Sequence, residues 1–176
     1  MDKKYINYTI NIATDLLSKV ISYIIIISLF SSNIVYASNT SQIVDHIVPD
    51  GTTETSVDRA PNGTPIVNIA RPGSGGTSHN KFRDYNVFDD NLILNNFKGE
   101  AGISKLGGAI YGNPNFNKVG GRAAAIILNE ITSNRITRLS GYTEIFGNKA
   151  ALIIANPNGI ITSGAGFINT SRLSLI

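Results

Sequence analysis

The chain has no cysteine, two histidines and few charges for its 176 residues. The missing cysteine excludes a disulfide framework, a zinc-thiolate site and a cysteine nucleophile together. Charged residues make up 15% of the chain and the net charge is only +3. With no Lys/Arg run and no interleaving of basic and aromatic residues, nucleic acid is not an expected partner. Neither His46 nor His79 lies in a motif that supplies a Ser/Asp or Glu partner, so both read as surface residues. No apolar run is long enough to span a bilayer: Ile21–Phe30 covers about ten residues against the roughly twenty a spanning helix needs.

What is present points to β-structure. The hydrophobic fraction is 42% and there are 17 glycines, a composition that favours many short strands and turns over helices. Residues 1–37 read as a targeting segment instead of a fold element. Lys3, Lys4 and Lys19 precede the apolar stretch, and small or compact residues lead to a cleavage site between Ala37 and Ser38. Its n-region is long for a simple signal peptide. Its removal leaves a nearly neutral segment, 38–176, expected to be one domain.

The organising stretch is Ala150–Ser171. A short apolar run is followed by Asn156-Pro157-Asn158-Gly159, in which Asn156 closes an Asx turn, Pro157 pre-sets φ and Gly159 accepts a left-handed conformation. Another short apolar piece, a Gly-rich turn and Phe167–Ile168 follow, the cadence of one coil in a parallel β-solenoid. From Arg122 onward short apolar segments repeat: Ala123–Asn129, Ile131–Ser133, Arg138–Leu139, Tyr142–Phe146, Ala151–Ala155, Gly159–Thr162 and Gly166–Ile168. Asn129, Asn148 and Asn169 recur at about one coil's spacing and suggest a stacked asparagine ladder. A sandwich would show cleaner alternation and hairpin turns.

Earlier in the chain, Ile43–Val48 and Thr52–Val57 read as strands that cap the open end of the β-structure. Pro65–Ile69 is a further strand, and Arg71–Gly76 is a flexible loop whose glycines fit no nucleotide-binding spacing. Between His79 and Asn96 a helical turn through Phe82, Tyr85 and Phe88 competes with the favoured reading, strands at Asn-Val-Phe and Leu-Ile-Leu-Asn-Asn around an Asp89-Asp90-Asn91 turn. That turn carries oxygen ligands suited to Ca²⁺ but reads as a solvated Asx turn. Gly99–Asn117 reads as a loop-rich insertion ending in a second turn, Asn113-Pro114-Asn115-Phe116. Beyond Arg122 the only acidic residues, Glu130 and Glu144, do not occupy equivalent coil positions, so no catalytic, cofactor-binding or metal-ligating residue is assigned and the chain is not expected to be an enzyme.

The stretch PIVNIARPGSGGTSHNKFRDYNVFDDNLILNN, then NPNF at Asn113–Phe116, then ILNEITSNRITRLSGYTEIFGNKAALIIANPNGIITSGAGFIN resembles the N-terminal two-partner secretion (TPS) domain of the filamentous haemagglutinin family, which also heads contact-dependent inhibition exoproteins and exported haemolysins. Phe116 stands where that family usually has Leu, and Thr162 and Ala165 stand where some members have cysteines. The resemblance implies an all-β, right-handed parallel β-helix with an N-terminal β cap, and a role in export. Asn113, Pro114, Asn115 and Phe116, with Asn156, Pro157, Asn158, Gly159 and Ile160, would be the secretion motifs. The implied partners are the Sec machinery and then the POTRA domains of an outer-membrane β-barrel transporter; the implied location is the surface of a Gram-negative bacterium, reached through the periplasm. No cofactor is implied. The alternative is an adhesin acting directly on cells or glycans, on its own or through a passenger. Because family domains continue for several coils past the position of Ile176, the chain is expected to be a truncated gene or a fragment.

Overall fold

The structure, a computed structural model, describes residues 14–24, 46–117 and 121–176. It divides into two units, 1–43 and 44–176. In the first, residues 14–24 form a fully exposed helix carrying an i,i+4 pair between Lys19 and Asp15 at 2.7 Å. No described helix is long and apolar enough to cross a membrane. The expected cleavage site, Ala37 and Ser38, lies outside the described residues.

The second unit is built of strands in stacks. The first sheet has the order β1-β4-β8-β11-β14, from β1 (Ile47–Pro49), β4 (Thr77–Tyr85), β8 (Ile126–Ile131), β11 (Ala150–Ala155) and β14 (Thr170–Leu175). The second has the order β13-β10-β5-β3-β2, from β2 (Ser56–Arg59), β3 (Pro65–Asn68), β5 (Leu92–Asn96), β10 (Tyr142–Gly147) and β13 (Gly166–Ile168). A third, smaller stack pairs β9 (Thr137–Leu139) with β12 (Ile160–Thr162), and Val87 extends it by a parallel bridge to Leu139. From β4 onward the main path visits the first, third and second stacks in a fixed cyclic order, and neighbours within each stack run parallel. Within the two large sheets the described strands that run antiparallel to their partners are β1 and β2, each at one edge.

Register explains the core. Phe82, Tyr85, Ile127, Leu152 and Ile154 from the first sheet meet Val67, Leu92, Leu94 and Ile145 from the second and Leu139 from the third, all at most 1% exposed. Each such side chain contributes about 1.5–3 kcal/mol when fully buried. A second cluster lies on the far side of the second sheet. There Ile66, Ile93 and Phe146 are covered by Ile110, with Leu106 and Phe97 packed against them.

Several expectations change. The second early strand is Ser56–Arg59, not Thr52–Val57; of the expected Ile43–Val48, residues 43–45 lie outside the described residues, and the described strand there is Ile47–Pro49. Thr77–Tyr85 is one nine-residue strand, so the helical turn does not form; Asn-Val-Phe is reduced to a single bridge at Val87, while the expected strand forms at Leu92–Asn96 after a turn at Asp89-Asp90. The inward positions of Thr77–Tyr85 include Ser78 and Asn80, both fully buried, and these polar residues hide the alternation a hydropathy reading looks for. The expected loop at Gly99–Asn117 contains an antiparallel hairpin, β6 (Ala101–Ser104) with β7 (Gly108–Tyr111), and a 3₁₀ turn at Pro114–Phe116. Its glycine at 107 is there for contact: a Cβ would fall 2.6 Å from the Ile93 Cδ1 atom beneath.

The asparagine ladder is also redrawn. Asn129 sits inside the first sheet opposite Asn80, and Asn148 and Asn169 lie at corners between the second and first sheets. The stacked pairs are Asn80 with Asn129, at 3.1 Å, and Asn68 with Asn95, at 3.0 Å. Asn129 is paired with Ile154, 25 residues on, so the 19-residue step to Asn148 falls short of one coil and ends at the corner before β11.

Candidate functional site

The two Asn-Pro-Asn turns share one construction. Asn113 is 1% exposed; its Oδ1 accepts the Asn115 N–H at 2.9 Å, and its carbonyl accepts the Phe116 N–H at 3.0 Å. Its Nδ2 donates to the carbonyls of Ile69 (2.9 Å) and Asn95 (2.8 Å), and Asn115 Nδ2 reaches the carbonyls of Ile69 and Glu54, both at 3.0 Å. Phe116 fills the main core at 1% exposure, so an aromatic ring is accommodated at that position.

Asn156 repeats the pattern. At 3% exposure its Oδ1 accepts the Asn158 N–H (2.9 Å), its carbonyl accepts the Gly159 N–H (3.0 Å), and its Nδ2 donates to the Arg135 carbonyl (2.9 Å) and Thr137 Oγ1 (3.0 Å). Asn158 Nδ2 donates to the Ser133 carbonyl at 2.8 Å. Gly159, at φ +104°, takes the conformation a side chain would strain, and Ile160 starts β12 opposite Thr137. Each turn thus closes on itself through the oxygen of its first asparagine and is stapled to neighbouring segments by the amide nitrogens of both. The groups left exposed are the rings of Pro114 and Pro157 with Asn158 and Gly159, while the buried asparagines are committed to internal bonds.

Other polar groups that the sequence reading passed over are equally committed. Glu144, 4% exposed, accepts Ser104 Oγ–H at 2.6 Å and the N–H groups of Lys105 and Leu106 at 3.0 and 2.9 Å, so one carboxylate holds the β6–β7 turn. A buried chain runs from Thr55 Oγ1 to Asn80 Oδ1, from Asn80 Nδ2 to Asn129 Oδ1 and from Asn129 Nδ2 to Tyr85 Oη. Burial pushes the Tyr85 phenol above its ordinary pKa, against the opposing bond from Asn129. Burial also acts to raise the Asp50 carboxyl, but bonds from Thr52 and Thr132 and the charge of Lys81 outweigh it and hold it below its ordinary value. The only sequence signal for these roles is an abundance of Asn in otherwise apolar strands.

His79 is not the unpartnered residue the sequence suggested: its Nε2 lies 2.7 Å from Glu130 Oε2 on the outer face of the first sheet. Glu130 and Glu144 stand on different sheets, in β8 and β10. Asn91 holds the Asp89-Asp90 turn at φ 60°, its Oδ1 accepting the Tyr142 N–H at 2.8 Å. Among the described residues no group of three or more His, Cys, Asp or Glu is placed to hold a metal ion.

A family model described as the TPS secretion domain matches residues 45–175, which include every strand and both stapled turns. The chain belongs to the TPS secretion domain family. This TPS domain is 48% identical over 129 residues to the 16S rRNA endonuclease CdiA of Enterobacter cloacae, covering 73% of this chain and 4% of that protein. It is 45% identical over 129 residues to the filamentous hemagglutinin of Bordetella pertussis (73% and 3%), and 41% identical over 143 residues to the hemolysin of Serratia marcescens (81% and 9%). A crystal structure of the filamentous hemagglutinin secretion domain matches with a TM-score of 0.65 at 45% identity, over 73% of this chain and 41% of that one. The part these proteins share with the TPS domain is a secretion domain, which is not catalytic; the nuclease name belongs to a protein of which this chain spans 4%.

Proposed function

We propose that residues 38–176 target an exoprotein for two-partner secretion. Residues 1–37 act as a Sec signal peptide cleaved between Ala37 and Ser38, and the POTRA domains of a cognate outer-membrane β-barrel transporter recognise the domain in the periplasm of a Gram-negative bacterium. Each pass of the chain through the three stacks is one coil of a right-handed parallel β-helix, capped at its N-terminal end by β1 and β2. Folding of those coils at the cell surface drives export, since each new coil buries apolar surface and pairs a row of backbone groups where no nucleotide energy source exists.

The observation that carries this reading is the pair of stapled turns, within a chain that belongs to the TPS family. Their buried asparagines act by holding coil geometry, and the exposed prolines and Gly159 are what a partner can touch. The test is surface display of a passenger fused after Ile176, with the genome's own POTRA-bearing transporter co-expressed. Deletion of Asn156–Gly159 is expected to retain the passenger in the periplasm. Undiminished display from the deletion variant refutes the assignment.

A further inference from the structure

The two Pro-Asn-Gly turns, Pro61-Asn62-Gly63 and Pro157-Asn158-Gly159, share a reactive sequence that the fold holds in check. In an Asn-Gly pair the glycine amide nitrogen has no neighbouring side chain to shield it, and it can attack the asparagine side-chain carbonyl carbon. The Cγ–N bond to Gly forms, the bond to the side-chain nitrogen breaks and ammonia leaves with the amide proton. Water then opens the succinimide at either carbonyl, giving aspartate or isoaspartate. Nothing but water is consumed.

The folded turns block both partners of that step. Gly159 N–H donates to the Asn156 carbonyl at 3.0 Å, while Asn158 Nδ2 is drawn to the Ser133 carbonyl at 2.8 Å. Gly63 N–H likewise donates to the Ala60 carbonyl at 2.9 Å, and Asn62 Nδ2 to the Leu106 carbonyl at 2.7 Å. In each turn the nucleophile is hydrogen-bonded within the turn and the electrophilic amide is anchored to a different segment. Attack requires both bonds to open together, which in the native state is a local unfolding event. The turn at Asn113 is a built-in control: it has the same Asn-Pro-Asn construction, but Phe116 follows Asn115 and its side chain shields the amide nitrogen.

We propose that Asn158 and Asn62 are sites of spontaneous deamidation that react in the unfolded chain and are protected by folding, and that the product at 158 opposes refolding. A carboxylate oxygen in place of the Asn158 Nδ2 faces the Ser133 carbonyl, and Asn156 Oδ1 at 3.2 Å, as one acceptor against two others. The isoaspartate product adds a backbone carbon to a turn whose four residues are fixed by the Gly159-to-Asn156 bond. A chain kept unfolded before export therefore ages chemically within its own secretion motif. That consequence rests on the export reading; the chemistry does not, and the experiment below uses purified protein alone.

The chain is held at mildly alkaline pH in parallel, folded in buffer and unfolded in urea, then mapped by peptide mass spectrometry with enzymatic isoaspartate labelling. In urea, acid conversion is expected at Asn158 and Asn62 and not at Asn115. In the folded chain both sites should react at least about tenfold more slowly. Equal rates in the two states, or conversion at Asn115 as fast as at Asn158, overturns the protection argument. Separately, N158D should unfold at lower urea than N158A, which loses the staple without adding charge. The reverse order overturns the claim that the product opposes refolding.

Discussion

Glu144 offers the sharpest test of how polar groups hold this domain together. Its row on the outer face of the second sheet is Ile66, Ile93, Glu144 and Ile168, so a charge occupies a position whose neighbours above and below are isoleucines. It is kept there by the hairpin turn, whose Ser104 hydroxyl and two backbone N–H groups it accepts. Replacing Glu144 with Ala removes the acceptor of the Ser104 hydroxyl and of the Lys105 N–H, and one of two acceptors of the Leu106 N–H. Each orphaned buried donor costs about 1–3 kcal/mol, and Ser104 recovers part of this through its own contacts with the Leu106 and Gly107 N–H groups. The net loss is expected to be about 3 kcal/mol, in the range for removing one partner of a buried charged network. Against a typical domain stability of about 5–15 kcal/mol this is a large fraction.

The hairpin itself should stay attached through Ile110 and Leu106, so the defect is local before it is global. Two readouts separate these. The chain has no tryptophan, so urea unfolding is followed by circular dichroism, where Glu144→Ala should lower the midpoint more than Glu144→Gln. Gln keeps one acceptor oxygen but turns an NH₂ group toward donors. Limited trypsin digestion under native conditions should cut after Lys105, at the lifted turn, faster in Glu144→Ala than in wild type. A midpoint within about 0.5 kcal/mol of wild type, with no change in cleavage at Lys105, would refute the latch.

Four further outcomes follow from the same bonds. Asn129→Leu removes the acceptor of Asn80 and the donor to Tyr85 and should cost about 2–3 kcal/mol, with a double-mutant cycle against Asn80→Ala showing strong coupling in urea unfolding. Asn156→Asp should be worse than Asn156→Ala in the same assay, because a charged oxygen replaces the nitrogen that donates to the Arg135 carbonyl at 2.9 Å. The Asp50 carboxyl titrates lower folded than unfolded, so its small, solvent-screened contribution is full above its ordinary value of 3.8 and is lost as pH falls through the folded value; Asp50→Asn should flatten that part of an acid unfolding curve. Asn169→Ala removes the bonds to the Ile145 and Gly147 carbonyls and should raise amide exchange in β13 and β14 while leaving β4 and β8 protected.

How much of this could be read from sequence depended on the distance between the groups that act together. The Asn156 turn was legible because its Asx bond, its proline φ and its glycine φ all arise within four residues. Its staples were not, since Ser133 and Arg135 lie a coil earlier and contribute only backbone carbonyls, which carry no sequence signature. Strand β4 was missed for a related reason. Its buried Asn80 looks like a turn residue until Asn129 and Thr55 are placed beside it. Glu144 was read only as an acid at a coil position different from that of Glu130; its role stayed hidden because the turn it holds is 38–40 residues earlier and offers mainly N–H groups. Parallel stacking itself was legible in the short apolar runs without hairpin turns between them.

The staples also constrain how such a fold is assembled. Asn68 meets Asn95, Asn80 meets Asn129, Asn156 meets Arg135 and Thr137, and Asn169 meets Ile145 and Gly147; each bond joins one coil to the coil beside it. Stability is then close to a sum over neighbours, and a coil that has its predecessor in place gains its bonds without waiting for any later residue. The two antiparallel strands lie at the starting edge of each sheet, where β4 and β3 otherwise have no neighbour. Growth from that edge toward β14 is the route in which no buried asparagine is left unpaired for longer than one coil takes to form. A chain that emerges from a pore with this edge first can therefore fold as it emerges, each coil holding the gain made by the one before it.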